Sequence, residues 1–128
     1  MGQQQLLLIL LAIIIVGLAV VVGISLFSAN SAASNRDAVV TDLANLGSLA
    51  QLYHRKAIAN GGGGNTFTGW SVPAQLDTTA NGTYAATVAE QSVTLFGTGN
   101  QTGNDGTNPV KVTMVVGPNS ITSTVINN

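Results

Sequence analysis

The chain has no cysteine, so no disulfide staples it and neither a thiolate-ligated metal site nor a CxxC redox pair can be built from it. Charge is nearly as scarce. Four Lys and Arg stand against five Asp and Glu, for a formal net charge of -1, which leaves no basic patch for nucleic acid or for an anionic membrane surface. Proline first occurs at Pro73, so nothing before it breaks a helix by removing a backbone donor. Aromatic rings are sparse as well. Up to Asn60 there are just Phe27 and Tyr53, roughly 39 Å apart along a helix axis, too far for a stacked path that conducts electrons. What remains polar is Asn, Thr, Ser, Gln and Gly, a composition suited to an exposed, weakly charged wall rather than to a cytosolic enzyme. Neither catalytic activity nor a cofactor nor a nucleic-acid partner is expected.

Long apolar runs are the one thing the chain has in excess. Every residue over 6–24 is Leu, Ile, Val, Ala or Gly; as a helix this run spans roughly 29 Å, matching a hydrocarbon core of about 30 Å. A secretory signal peptide is the competitor. Its apolar stretch is shorter, follows a basic segment and ends at a small-residue cleavage site, whereas residues 1–5 hold no Lys or Arg. A retained membrane helix is the expectation.

Beyond the run, Val39, Leu43, Leu46, Ala50, Tyr53 and Ala57 recur at spacings of three and four, the signature of an amphipathic helix. Arg36, Asp37, Asp42, Asn45, Gln51 and Arg55 occupy much of the remaining surface, as on a helix that packs one face against a domain. His54, Arg55 and Lys56 suit the negative end of the helix dipole. Asn60 and Gly61, Gly62, Gly63 and Gly64 then offer a C-cap and cannot sustain helix. Residues 3–59 are expected as one helical rod of roughly 85 Å.

After the glycines the pattern changes to period two with β-branched residues. Strands are expected at residues 84–89, 92–96, 110–116 and 120–126, the last two joined by Gly117, Pro118 and Asn119 as a tight hairpin. Residues 97–109, rich in Gly, Asn and Thr, read as a surface loop. Residues 61–77, with Phe67, Trp70 and Val72, read as an irregular connection whose aromatics cover an open edge of the core. Roughly seventy residues of sheet alone would be marginal; the helix stripe supplies a second layer. The fold class expected is α+β: a long N-terminal helix, apolar then amphipathic, packed on a small C-terminal antiparallel β-sheet. Its parts are an apolar membrane-anchor helix over 1–28, an amphipathic helix over 29–60 and a loop and sheet head over 61–128.

The smaller motifs carry little chemistry. His54 is the sole histidine, and its cationic neighbours favour a helix-end role over a catalytic one. The glycine run lacks the Lys and Ser or Thr of a phosphate-binding loop. Asp105 among Asn100, Asn104 and Asn108 brings one carboxylate without EF-hand spacing, so a solvated loop is expected and no metal site. Asn81-Gly82-Thr83 and Asn100-Gln101-Thr102 fit the N-glycosylation pattern, making Asn81 and Asn100 the candidate sugar acceptors.

A membrane-length apolar start, Met1-Gly2-Gln3-Gln4-Gln5-Leu6-Leu7-Leu8-Ile9, running on as an amphipathic helix and ending in an antiparallel sheet, resembles the type IV pilin superfamily. The resemblance implies a structural subunit of an extracellular filament, serving adhesion or motility. Identical subunits would be its partners in a helical homopolymer, with the cytoplasmic membrane holding it before assembly and the pilus machinery extracting it. Minor pseudopilins of secretion systems share the plan, and a single-pass anchored binding module is the remaining alternative. The assembly residues implied are Met1, Gln5, Leu6, Leu8, Ile9, Ala12, Ile13, Gly17, Val20 and Gly23, the small ones permitting close helix approach. If Met1 is the mature residue, Gln5 stands where such pilins carry a glutamate that pairs with the neighbouring subunit's N-terminal amine. A neutral amide still accepts that hydrogen bond and avoids burying a carboxylate, which costs several kcal/mol unless well paired. Family pilins also often kink this helix near a proline and often brace the C-terminal region with a disulfide. Here Gly17 and Gly23 are the weak points of the run instead, each costing about 1 kcal/mol relative to Ala; if the helix melts locally in a filament, it should melt between them. A proline-free helix is similar to archaeal pilins, and both bacterial and archaeal sources stay open. The basic leader that family prepilins use for orientation and cleavage by a prepilin peptidase does not precede the run, so the expectation is either that it was removed before numbering begins or that processing is unusual; N-terminal methylation is implied by the resemblance alone.

Overall fold

The computed structural model describes residues 2–128. Its first element, α1, is one unbroken helix, Gly2–Arg55, and no break occurs at Gly17 or Gly23. A one-turn 3-10 helix, Ile58–Asn60, follows. Five strands come next: β1 Thr78–Thr79, β2 Gly82–Val88, β3 Val93–Thr102, β4 Pro109–Val116 and β5 Ile121–Ile126. They form one antiparallel sheet in the order β1-β2-β3-β4-β5. The chain divides into two compact units, one reaching to Ser31 and one comprising Ala32–Asn128. The amphipathic part of the helix thus belongs with the sheet, and the fold is α+β.

Within Ala32–Asn128 the packing follows from two periodicities. Helical spacing places Asn35, Val39, Leu43, Leu46, Gly47, Ala50 and His54 on one buried face of α1. Alternation along the strands turns Val93 and Leu95 of β3 and Val110, Val112, Met114 and Val116 of β4 toward that face, all at 1 % exposure or less. Tyr84 of β2 and Phe67 of the preceding connection complete the core. The expected stripe holds from Val39 to Ala50. It then shifts by one residue: His54 is buried, Tyr53 is half-buried, and Ala57 lies exposed beyond the helix.

The helix ends at Arg55 rather than near residue 59, because the glycines fold back onto it. Gly63 N donates to Tyr53 O at 2.8 Å, Asn65 N to His54 O at 2.7 Å and Gly64 N to Lys56 O at 2.9 Å. These amides satisfy terminal carbonyls that the helix leaves unpaired. Residues 61–77 hold no strand, as expected, but Phe67 is fully buried in the core instead of lying over its edge, while Trp70 and Val72 pack partly buried against it.

The largest departure is β3, which runs on to Thr102 through residues expected as loop. Its glycines are there because the helix comes close. A Cβ on Gly97 would sit 2.6 Å from Val39 Cγ1, and one on Gly99 would sit 2.0 Å from Asn35 Oδ1. Beyond Thr98 the pairing with β4 slips before resuming at Thr102, and such irregularities leave backbone groups unpaired. Asn35 takes them up: its Oδ1 accepts from Asn100 N at 3.2 Å and Gln101 N at 3.4 Å, while its Nδ2 donates to Asn81 O at 2.8 Å and Asn100 Oδ1 at 3.0 Å.

Candidate functional site: the exposed apolar helix

The part of α1 that lies before Ser31 presents apolar side chains on every side. Each residue from Leu6 to Phe27 is exposed; Leu6 stands at 68 % and Phe27 at 73 %. No proline interrupts the helix here and its Leu and Ala are good helix formers, while the β-branched Ile and Val, weaker ones, are tolerated. Leaving one Val, Leu or Ile in water forfeits about 1.5–3 kcal/mol relative to burial. Over the run the loss reaches tens of kcal/mol, more than the roughly 5–15 kcal/mol that stabilises a whole domain. The segment therefore needs an apolar medium that its own chain does not supply. The helix is long and apolar enough to cross a membrane, with a mean hydropathy of 3.4 over its most apolar window and none of that window buried.

Of the expected assembly residues, Met1 lies outside the described residues. Gln5, Leu6, Leu8, Ile9, Ala12, Ile13, Gly17, Val20 and Gly23 are all exposed on this segment. Ala12 opens a shallow apolar notch between Ile9, Ile13 and Val16. A Cβ on Gly17 or Gly23 would meet nothing within 4 Å. Their smallness serves no contact within the chain, in contrast to Gly47, where a Cβ would approach Val116 Cγ2 to 3.0 Å.

The polar residues of the remaining unit are occupied in holding it together. Asp42 on α1 accepts hydrogen bonds at one oxygen from the hydroxyls of Tyr84 and Thr79 and from Asn81 Nδ2. Burial pushes this carboxyl up, but the bonds from Tyr84, Asn81 and Thr79 together outweigh it and hold Asp42 below its usual 3.8. The Tyr84 hydroxyl is pushed up to about 12, by burial first and then by donating to Asp42. His54 sits in the last turn of α1 as expected, yet buried, with Nε2 3.1 Å from Gln91 Oε1 and its ring 4.7 Å from that of Phe67. No Ser or Asp partner reaches it among the hydrogen bonds of the described residues.

Asp105 does lie in a polar loop. Thr107 N, Asn108 N and the side chains of Asn108 and Asn128 all donate to it, and these bonds, led by that from Thr107, hold its carboxyl well below the usual range. Donors crowd the carboxylate where a cation would need further oxygens, and no metal-holding cluster occurs among the described residues. The sequon residues are both structural. Asn81 is half-buried and donates to Asp42 at 3.1 Å. Asn100 is exposed, but its Nδ2 donates to Ala80 O at 2.7 Å.

Sequence reasoning missed the Asn35 and Asp42 networks. The signal for Asn35 was present: it stands one helical turn before Val39, in register with the buried stripe. Compared with protein-family models, with curated proteins and with solved structures, the chain finds no match in any of the three.

Proposed function

We propose that this chain is a structural subunit of an extracellular type IV pilus-like filament, anchored by the first half of α1 in a membrane and polymerised through that same segment. The observation that carries the reading is the all-round apolar exposure of residues 6–27 on a helix whose continuation is the core element of a folded head. A lipid bilayer satisfies such a surface before assembly, and a bundle of identical helices satisfies it afterwards. Apolar burial is retained in the transfer, so release from the membrane carries a small net cost. Gly17 and Gly23, free of contacts within the chain, allow close helix approach in that bundle. Gln5 at the exposed start of the helix offers a neutral amide to a neighbour's N-terminal amine, setting register by hydrogen bonding. The weakly charged, Thr- and Asn-rich head forms the outer wall, with adhesion or motility as its role.

Electron microscopy of sheared cell-surface material tests this directly. Long filaments composed in bulk of this chain are expected; finding it confined to membranes would defeat the reading and leave an anchored binding module.

A further inference from the structure

The two edges of the sheet are built differently. At one edge β1 is two residues long, and Tyr84 N of β2 donates beyond it to Asp77 O at 2.8 Å. The other edge is β5, Ile121–Ile126, in which all six residues are exposed. Natural edge strands are blunted by lysine, proline, inward charge, extreme shortness or bulges that twist them away. β5 contains no charged residue and no proline; apart from Ser123, every residue is β-branched. Its one irregularity lies at its beginning, between the pairs of Val115 with Ser123 and Val116 with Ile121, so residues 123–126 pair regularly.

Register decides which backbone groups face outward. Asn127 N donates to Lys111 O at 2.9 Å. Since Val112 is opposite Ile126 and Thr113 opposite Val125, the alternation of antiparallel ladders turns Ser123, Val125 and Asn127 toward β4. Thr124 and Ile126 turn their N–H and C=O groups to the outer edge, which no strand among the described residues covers. Another β-strand matches the spacing of such an edge.

We propose that β5 pairs antiparallel with β5 of a second copy of this chain, about a two-fold axis through Val125. Thr124 then faces Ile126 of the second copy and the reverse, so the outward groups of both strands are satisfied. The two Val125 residues meet as a non-hydrogen-bonded pair. The absence of charge on β5 removes the repulsion that would oppose self-pairing, and identical strands are complementary about a two-fold. This contact needs the sheet alone and does not rest on the filament reading. A two-fold cannot repeat along a helical polymer whose subunits all point one way, so where filaments form it joins subunits of two separate filaments lying side by side.

The cysteine-free chain makes the test clean. Non-hydrogen-bonded partners lie about 4.5 Å apart at Cα, within disulfide reach. The full-length chain carrying Val125→Cys, in detergent micelles under mild oxidation, is expected to form a covalent dimer at least about tenfold faster than Lys111→Cys, which presents its thiol on the same sheet face but on β4. Adding Thr124→Pro removes an outward N–H without touching the pairing with β4, and it should abolish the difference; if that variant lowers the melting temperature, Thr124→Lys replaces it. Equal rates for the two cysteines, or a Val125→Cys dimer indifferent to the change at Thr124, would overturn the pairing.

Discussion

The two halves of α1 are one continuous helix, and their apolar side chains meet opposite fates. Between Asn35 and His54 the apolar residues keep to a stripe, and strands β2, β3 and β4 cover it, so that Val39, Leu43 and Ala50 reach 0 % exposure. Between Leu6 and Phe27 every direction is apolar and nothing in the described chain covers any of it. A stripe can be satisfied by one sheet. A full cylinder has to be satisfied by a surrounding medium, whether lipid or other helices. The difference separates an element that stabilises its own fold from one available for insertion or assembly.

The comparison breaks most completely if residues 1–28 are deleted. The remaining chain keeps the stripe and the sheet; it is expected to stay soluble as a folded species, to lose flotation with lipid vesicles and never to polymerise. Filaments grown from the truncated chain would show that polymerisation does not need the apolar cylinder. Next in size is one substitution made in both halves. Leu43→Ala empties a fully buried site and should cost about 2–5 kcal/mol in denaturant unfolding of the head. Leu18→Ala, at 63 % exposure, should leave that transition within about 0.5 kcal/mol.

Glycine sharpens the contrast by changing its sign. Gly97→Ala forces a Cβ to 2.6 Å from Val39 Cγ1, and overpacking of that kind costs about 1–3 kcal/mol. Gly17→Ala meets nothing, and gains about 1 kcal/mol of helix propensity; thermal melts followed by circular dichroism read both.

The smallest expected effect is a pH dependence that belongs to the head alone. Tyr84 holds its proton more tightly folded, at about 12 against 10.0, so its contribution is complete below pH 10 and lost as pH rises toward 12. Asp42 is displaced the other way. Its contribution is present above 3.8 and lost as pH falls through the lower folded value. Tyr84→Phe should flatten the alkaline arm of the stability profile, and Asp42→Asn should reduce the acid arm, leaving the part that the lowered carboxyl of Asp105 supplies; both are measured as denaturation midpoints against pH.

Particular elements show why part of this was readable in advance. The β4–β5 hairpin was expected at residues 110–116 and 120–126 and is found at Pro109–Val116 and Ile121–Ile126, because alternation and a Gly-Pro-Asn turn are local instructions. The second half of β3 was expected as loop, since Gly97, Gly99 and Asn100 each disfavour strand when considered singly. Their requirement is imposed by Val39 and Asn35, more than fifty residues earlier in the chain, which arrive from across the core. The shift of the stripe from Tyr53 to His54 has a similar origin: the glycine loop returns over the helix end, and Phe67 and Gln91 receive the imidazole.

The sequence by itself determined a membrane-length apolar helix, its amphipathic continuation and an antiparallel sheet, because each is written in a periodicity that its own residues carry. Tertiary structure alone decided where the helix stops, which glycines the packing cannot replace, how Asn35 and Asp42 bind the sheet to the helix, and which strand is left with a free edge. Those outcomes depend on distances between segments remote in sequence, and no local pattern of residues encodes a distance to a partner that folding has yet to bring near.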